Sequence, residues 1–402
     1  MADFRKPVTL LRLAGLTVAT SLFVLWLYFF GQLLAAIRPF KLDRSQGTWK
    51  LRNDSATFSR TTFIPGSFYE EDISRCRLNN TVRNREDGIL EKRLYSISNY
   101  TFNEINNKRC TRLDEALVAI KDGSRRWLNP NINTEDSLVA EVHPSYFVPG
   151  GCDMPFLSPR EVCAAFNQYS QIIVAGDSLS RHMMQGLMMM MKGDLVSGAI
   201  ESPIRSPYQW CACDGQFSEH EICRANNNAH FTEGEGFLPK DLGLCSDLPM
   251  PNMVEFFYGD RRVVTKLDCT IEDYKGAVLV IQAGLHYYTD ANRTLGGMVD
   301  PILNNQMFKA CLRLNKVRVI WITLGVQSRK ADRRYRHQSR ENTLVFNSNM
   351  EAGLNERLRN VTIIDWWRLT ENSQTSDGVH YLSDVNLVKA NHFTNIIKHL
   401  EA

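Results

Sequence analysis

Four short runs in the C-terminal part of the chain are almost continuously apolar and rich in β-branched residues. They are Gln171 to Ala175 (QIIVA), Ala277 to Ala283 (AVLVIQA), Val317 to Leu324 (VRVIWITL) and Val361 to Asp365 (VTIID), and the first three lead into Gly176, Gly284 and Gly325. A strand that is apolar on both of its alternating faces is covered on both, as in a parallel sheet flanked by helices. Helical stretches lie between or after these runs: Ser180 to Lys192, Pro301 to Leu314, Asn342 to Leu358 and Asp384 to Leu400. Strand and helix in alternation predict a three-layer α/β domain with a central, mostly parallel sheet. Ligands in such domains bind beyond the carboxyl ends of the strands.

Upstream the pattern is poorer. Residues 38 to about 150 are polar and rich in Asn and Arg, with one helical stretch at Leu113 to Lys121. Pro149-Gly150-Gly151 reads as a boundary. Nearer the start, Leu13 to Ile37 runs for 25 residues without a charged side chain. As a helix it would be roughly 37 Å long, enough to cross a bilayer core of about 30 Å with some tilt. The expected organisation is a tail over 1–12, a single transmembrane anchor over 13–37, a stem and N-terminal subdomain over 38–150, and the α/β domain over 151–402. A cleaved signal peptide is the alternative, because Leu34-Ala35-Ala36 offers small residues near its end. Basic residues flank the run on both sides (Arg5, Lys6 and Arg12; Arg38, Lys41 and Arg44), so flanking charge does not orient it.

The cysteines and sequons do. All ten cysteines (Cys76, Cys110, Cys152, Cys163, Cys211, Cys213, Cys223, Cys245, Cys269 and Cys311) follow the apolar run, and none forms a paired Cys-x-x-Cys zinc pattern. That distribution suits disulfides in an oxidising compartment, with Trp210 to Cys245 as a disulfide-held insertion. Five Asn-x-Ser/Thr sequons, at Asn53, Asn79, Asn99, Asn292 and Asn360, also follow it. Together these predict a short cytosolic tail, a luminal C-terminal portion and a glycoprotein. The net charge of +3 is too small to leave a nucleic-acid footprint. Met188 to Met191 lie at helical spacing and are read as core, and no metal site is expected.

Chemistry concentrates at the end of the first strand, in Gly176-Asp177-Ser178. A serine at a strand-to-helix turn exposes its hydroxyl beside backbone N–H groups that can hold an oxyanion. Asp and Ser are equally common as helix caps, so the tripeptide alone leaves both readings open. Asp377-Gly378-Val379-His380 stands between the last strand and the last helix, on the same rim of the sheet. An Asp three residues before a His can hold one imidazole tautomer and free the other nitrogen as a base for a serine. Arg181 and His182 follow the serine, and Arg181 either meets substrate, pairs with Asp177 or is solvated. The basic run Arg329 to His337 is either a contact for an acidic glycan or a solvated loop.

These two blocks resemble the SGNH/GDSL hydrolase superfamily, with Gly-Asp-Ser near its start and Asp-x-x-His near its end. Gly176-Asp177-Ser178-Leu179-Ser180-Arg181 is similar to the Gly-Asp-Ser-x-x-Arg opening of the PC-esterase-like branch, which includes the trichome-birefringence-like O-acetyltransferases and the luminal domain of sialate O-acetyltransferase. The resemblance covers roughly residues 150 to 402. It implies Ser178 as nucleophile, His380 as general base, Asp377 as its orienting partner, and the Ser178 N–H in the oxyanion hole. The superfamily's third block, Gly-x-Asn-Asp, corresponds here to Gly284-Leu285-His286-Tyr287, so His286 either replaces the oxyanion-hole Asn as donor or only packs. Gly198 is the candidate for the second-block glycine.

The resemblance and the secretory features together imply a Golgi-luminal, type II serine O-acyltransferase that acetylates glycan hydroxyls. The alternatives are an O-acyl esterase on glycans or lipids and an inactive glycan-binding module. No bound cofactor is expected; an acyl donor derived from acetyl-CoA would be a cosubstrate. One helix cannot carry that charged donor across a membrane, so a multi-spanning partner would supply it.

Overall fold

A computed structural model of the chain describes residues 108–127, 145–200, 211–217, 223, 231–232, 236–237, 245, 248–249, 251–257, 267–327, 337–371, 373, 375 and 378–400. The predicted anchor and the sequons at Asn53, Asn79 and Asn99 lie outside these residues. Among the described residues no helix is long and apolar enough to cross a membrane.

In chain order, α1 (Leu113–Lys121) leads into an antiparallel pair, β1 (Ser124–Trp127) and β2 (Ser145–Val148). Next comes α2 (Pro159–Phe166), started by a capping box. The Ser158 N–H donates to Glu161 Oε2 at 2.9 Å, the Glu161 N–H donates back to Ser158 Oγ at 3.4 Å, and proline sits at the first helical position. Strand β3 (Gln171–Gly176) feeds α3 (Ser178–Lys192), which ends at Gly193 with φ of 68°. The insertion that follows contributes the short strands β4 (Phe231–Thr232) and β5 (Gly236–Phe237) before β6 (Met253–Phe257) and β7 (Ala277–Gln282). Then come α4 (Ala291–Thr294), a π-helical turn over Leu295–Val299, α5 (Asp300–Leu303), α6 (Gln306–Arg313), β8 (Val317–Ile322) and α7 (Arg340–Arg357). The chain closes with β9 (Val361–Ile364), α8 (Trp366–Thr370) and α9 (Ser383–His399).

The sheet runs β4-β5-β6-β3-β7-β8-β9, and its last five members in that order are parallel. Strands β3 and β7 are buried at every position, as their uninterrupted apolar sequences require. Counted in chain order, the five parallel strands lie 2-1-3-4-5, and the winding reverses between β3 and β7. A crevice opens at such a switch point, beyond the carboxyl ends of the two strands. Gly176 and Gln282 are register partners at that end.

Helices α3 and α9 pack side by side, and Gly186 allows it: a Cβ there would lie 2.9 Å from the Asn386 carbonyl oxygen. Met188 to Met191 are almost wholly buried, as the core reading expects. At about 1.5–3 kcal/mol per buried side chain they are a large local contribution.

Three expectations change. Position 150 is not a boundary in the packing. Ala116, Ala119, Ile120 and Phe147 belong to the same apolar core as β3, β7 and α9, and Cys110 is bonded to Cys152. The helix expected over Pro301 to Leu314 is broken at Asn304–Asn305, because Asn305 Oδ1 accepts the Phe308 N–H at 3.1 Å and caps a new helix. Strand β6, unmarked in the sequence pattern, pairs with β3. The insertion is disulfide-held as expected: Cys163 joins Cys245, Cys211 joins Cys223, and Cys213 is also bonded. Cys269–Cys311 ties the segment before β7 to α6.

Candidate active site

The turn between β3 and α3 admits no side chain at Gly176: a Cβ there would lie 2.1 Å from Ser180 Oγ and 2.7 Å from the Gln282 carbonyl oxygen. Asp177 is extended (φ −119°, ψ −158°) and caps α3, its Oδ1 accepting the Leu179 N–H at 3.0 Å. Its carbonyl oxygen accepts from Ser180 Oγ at 2.8 Å and from the Arg181 N–H at 3.1 Å. Asp177 is therefore the cap, and Ser178, the first helical residue, is the side chain presented to the crevice. Its backbone N–H belongs to the first turn, where helical N–H groups lack intrahelical acceptors and the helix dipole favours negative charge.

The partner comes from the other end of the domain. An antiparallel bridge between Thr375 and Tyr381 closes a turn at Gly378, whose φ is +97° and whose N–H donates to Thr375 Oγ1 at 3.1 Å. The Tyr381 hydroxyl donates to the Val326 carbonyl oxygen at 2.6 Å, pinning the turn to the chain after β8. This brings His380 Nε2 to 2.7 Å from Ser178 Oγ. With the ring proton on Nδ1, the serine hydroxyl donates to Nε2, the arrangement a general base requires. Asp377 lies outside the described residues.

His182, one turn beyond Ser178 on α3, is buried between two rings: its centroid is 5.1 Å from that of His380 and 5.8 Å from that of Phe217. It backs the base, a role given away only by its i+4 spacing from the serine. Gly284 follows β7 with φ of +148°, and a Cβ there would lie 2.4 Å from Phe346 Cζ, so only glycine turns the chain here. The short 3₁₀ turn Leu285–Tyr287 then carries His286, exposed at the rim.

Asp177 gathers these charges. Burial pushes its carboxyl well above the usual range. The Leu179 N–H and the charges of His286, His380 and Arg181 pull it back down. Arg181, on the first turn of α3, is part-exposed.

Gly198 is a correction. A Cβ at Gly198 would lie 2.7 Å from the Met189 Cα, eleven residues along α3 from Ser178, and its N–H donates to the Asp194 carbonyl oxygen at 3.0 Å. At about 1.5 Å per residue that level is roughly 16 Å from the nucleophile. Gly198 shapes the turn after α3 and does not reach an oxyanion there. Of the basic run only His337 is described, edge-on to Tyr288 with centroids 5.1 Å apart. Asn292 and Asn360 are exposed. Among the described residues no cluster of three or more His, Cys, Asp or Glu could hold a metal.

No protein-family model and no curated protein matches the sequence. Solved structures do. One is a member of the lipolytic protein G-D-S-L family from Veillonella parvula, 14% identical, matched over 55% of this chain and 94% of that one with a TM-score of 0.28. Another is a carbohydrate acetylesterase from Sinorhizobium meliloti, also 14% identical, over 56% of this chain and 96% of that one with a TM-score of 0.26. With likeness at this level, the chemistry has to be read from the contact between Ser178 and His380.

Proposed function

We propose that the protein is a serine-dependent acyl-transferring enzyme of the secretory pathway, working on O-acyl groups of glycans. The observation that carries this reading is the 2.7 Å contact between Ser178 Oγ and His380 Nε2 at the switch point of the sheet. Serine is a weak nucleophile without such a base. In the first step Ser178 Oγ attacks the acyl carbonyl while His380 takes its proton. The Ser178 N–H holds the oxyanion, with His286 as a second donor from the rim. The tetrahedral adduct then expels the donor's leaving group, which takes the proton from His380. In the second step a sugar hydroxyl, deprotonated by His380, attacks the acyl-serine and regenerates the enzyme. Asp377 is the proposed partner of His380 Nδ1. Water in place of the sugar would make the same site an esterase.

The disulfides Cys110–Cys152, Cys163–Cys245, Cys211–Cys223 and Cys269–Cys311 support an oxidising compartment. The apolar run over 13–37 supports attachment to a Golgi or other secretory membrane. The acyl donor in this reading is a cosubstrate derived from acetyl-CoA and delivered by a multi-spanning partner.

The test gives the purified protein an acetylated chromogenic ester, with and without a glycan acceptor, beside Ser178→Ala. Loss of about 10³-fold or more in turnover is expected for Ser178→Ala. Unchanged turnover would refute the nucleophile. A rate that rises with acceptor and yields acetylated glycan marks a transferase; an acceptor-independent rate marks an esterase.

A further inference from the structure

The disulfide-held insertion plays no part in the mechanism above, yet one of its rings stands two contacts from the base. Phe217 ends the 3₁₀ turn Cys213–Phe217, inside the loop that Cys211–Cys223 closes. It is 4% exposed, and its ring packs edge-on against that of His182, centroids 5.8 Å apart. The His182 ring, wholly buried, lies in turn 5.1 Å from that of His380. His380 is only part-buried and is carried on a turn. A side chain in such a place keeps rotamer freedom unless packing removes it. Its Nε2 nevertheless has to stay within hydrogen-bond reach of Ser178 Oγ.

The turn that carries Phe217 is firmly placed. The Cys213 N–H donates to the Val196 carbonyl oxygen at 2.8 Å. Gln216 is buried: its Oε1 accepts the Ala199 N–H at 2.9 Å, and its Nε2 donates to the Leu195 carbonyl oxygen at 3.0 Å. Cys213 opens the turn at a φ of +53°, a conformation that a residue other than glycine keeps only where its surroundings over-determine it. All three bonds run to residues 195–199, just beyond the end of α3. The insertion is thus anchored past one end of the helix whose other end presents Ser178.

We propose that Phe217 is a positioning residue: through the ring of His182 it forms the back wall that keeps His380 aimed at Ser178. The insertion then holds the base in place as well as covering the sheet edge. This rests on Ser178 being the nucleophile and His380 its base.

The experiment uses the full chain, with ester kinetics referred to the folded fraction and thermal unfolding alongside. Phe217→Ala removes the wall and is expected to lower kcat about 100-fold with KM little changed, because a small displacement of a reacting group is enough for that. Phe217→Leu keeps most of the volume and folds where the alanine variant does not; it is expected to lower kcat about 10-fold. The same leucine change made on top of His182→Ala is expected to alter kcat by no more than about twofold, since the contact it acts through is already gone. A residue that only fills space would lower Tm and leave kcat per folded molecule at the wild-type value, and that outcome overturns the proposal. So does a leucine effect that persists in full without the His182 ring. Turnover indifferent to Ser178→Ala would refute the nucleophile and this proposal with it, whereas turnover that needs Ser178 but ignores Phe217 overturns this proposal alone.

Discussion

Acid should destabilise this fold through one histidine, and the size of the effect follows from its burial. His392, on α9, is 4% exposed and stands edge-on to Phe147 of β2, ring centroids 5.5 Å apart. Burial pulls its pKa from 6.5 down to about 3. The unfolded chain therefore binds a proton over this interval that the folded chain does not, and stability falls as pH drops from 6.5 towards 3. Each pKa unit is worth about 1.4 kcal/mol, so the full loss is about 5 kcal/mol, of which about 3 kcal/mol is gone by pH 4. His392→Phe removes the titration and keeps a flat ring against Phe147. Urea unfolding of both proteins between pH 8 and pH 4 measures the effect. The wild type should lose about 3 kcal/mol more than the variant across that range. Two parallel curves would show that His392 charges in the folded state, and the argument from burial would be wrong.

Other perturbations test other parts of the structure. Gly284→Ala places a methyl 2.4 Å from Phe346 Cζ at a φ of +148°; it should cost roughly 2–5 kcal/mol and lower Tm, and a neutral change would refute the forced turn after β7. Cys163 and Cys245 close an interval of 82 residues, so replacing both with serine should remove about 4.5 kcal/mol by the chain-entropy relation, read as a lower urea midpoint. If the domain is luminal, Asn292 and Asn360, both exposed, should carry glycans. Expression in a eukaryotic cell should then give bands that shift with N-glycosidase and with Asn→Gln at each site. No shift at either would count against the luminal placement.

The parallel strands were legible because burial on both faces leaves continuous apolar runs, which solvent-facing strands lack. Strand β6 escaped notice because Glu255 interrupts MVEFF, although Val174 of β3 is its register partner. Two helix starts went unread although their caps stand in the sequence: Ser158 and Glu161 form the capping box of α2, and Asn305 caps α6. The contact between Ser178 and His380 was inferable from two short motifs, because the topology of alternating strands and helices sends both to one rim. Gly198 was not inferable, since spacing along a chain says nothing of which turn it serves. The stacking of the buried Lys389 ammonium on the rings of Trp366 and Tyr381 was equally hidden: the three come from α9, α8 and the histidine turn, and only folding brings them together.

The shared core of α1, β2 and α9 decides where the protein can be cut. A fragment beginning at Gly151 would look natural from its sequence, yet it would lose Ala116, Ala119, Ile120 and Phe147 from beneath α9 and leave Cys152 without Cys110. Helix α9 packs against α3, which carries Ser178, so the damage would travel to the nucleophile by way of a helix far from it in sequence. Any shortened version meant for crystals or assays has to begin upstream of Lys108, and an inactive fragment that starts later says nothing about Ser178.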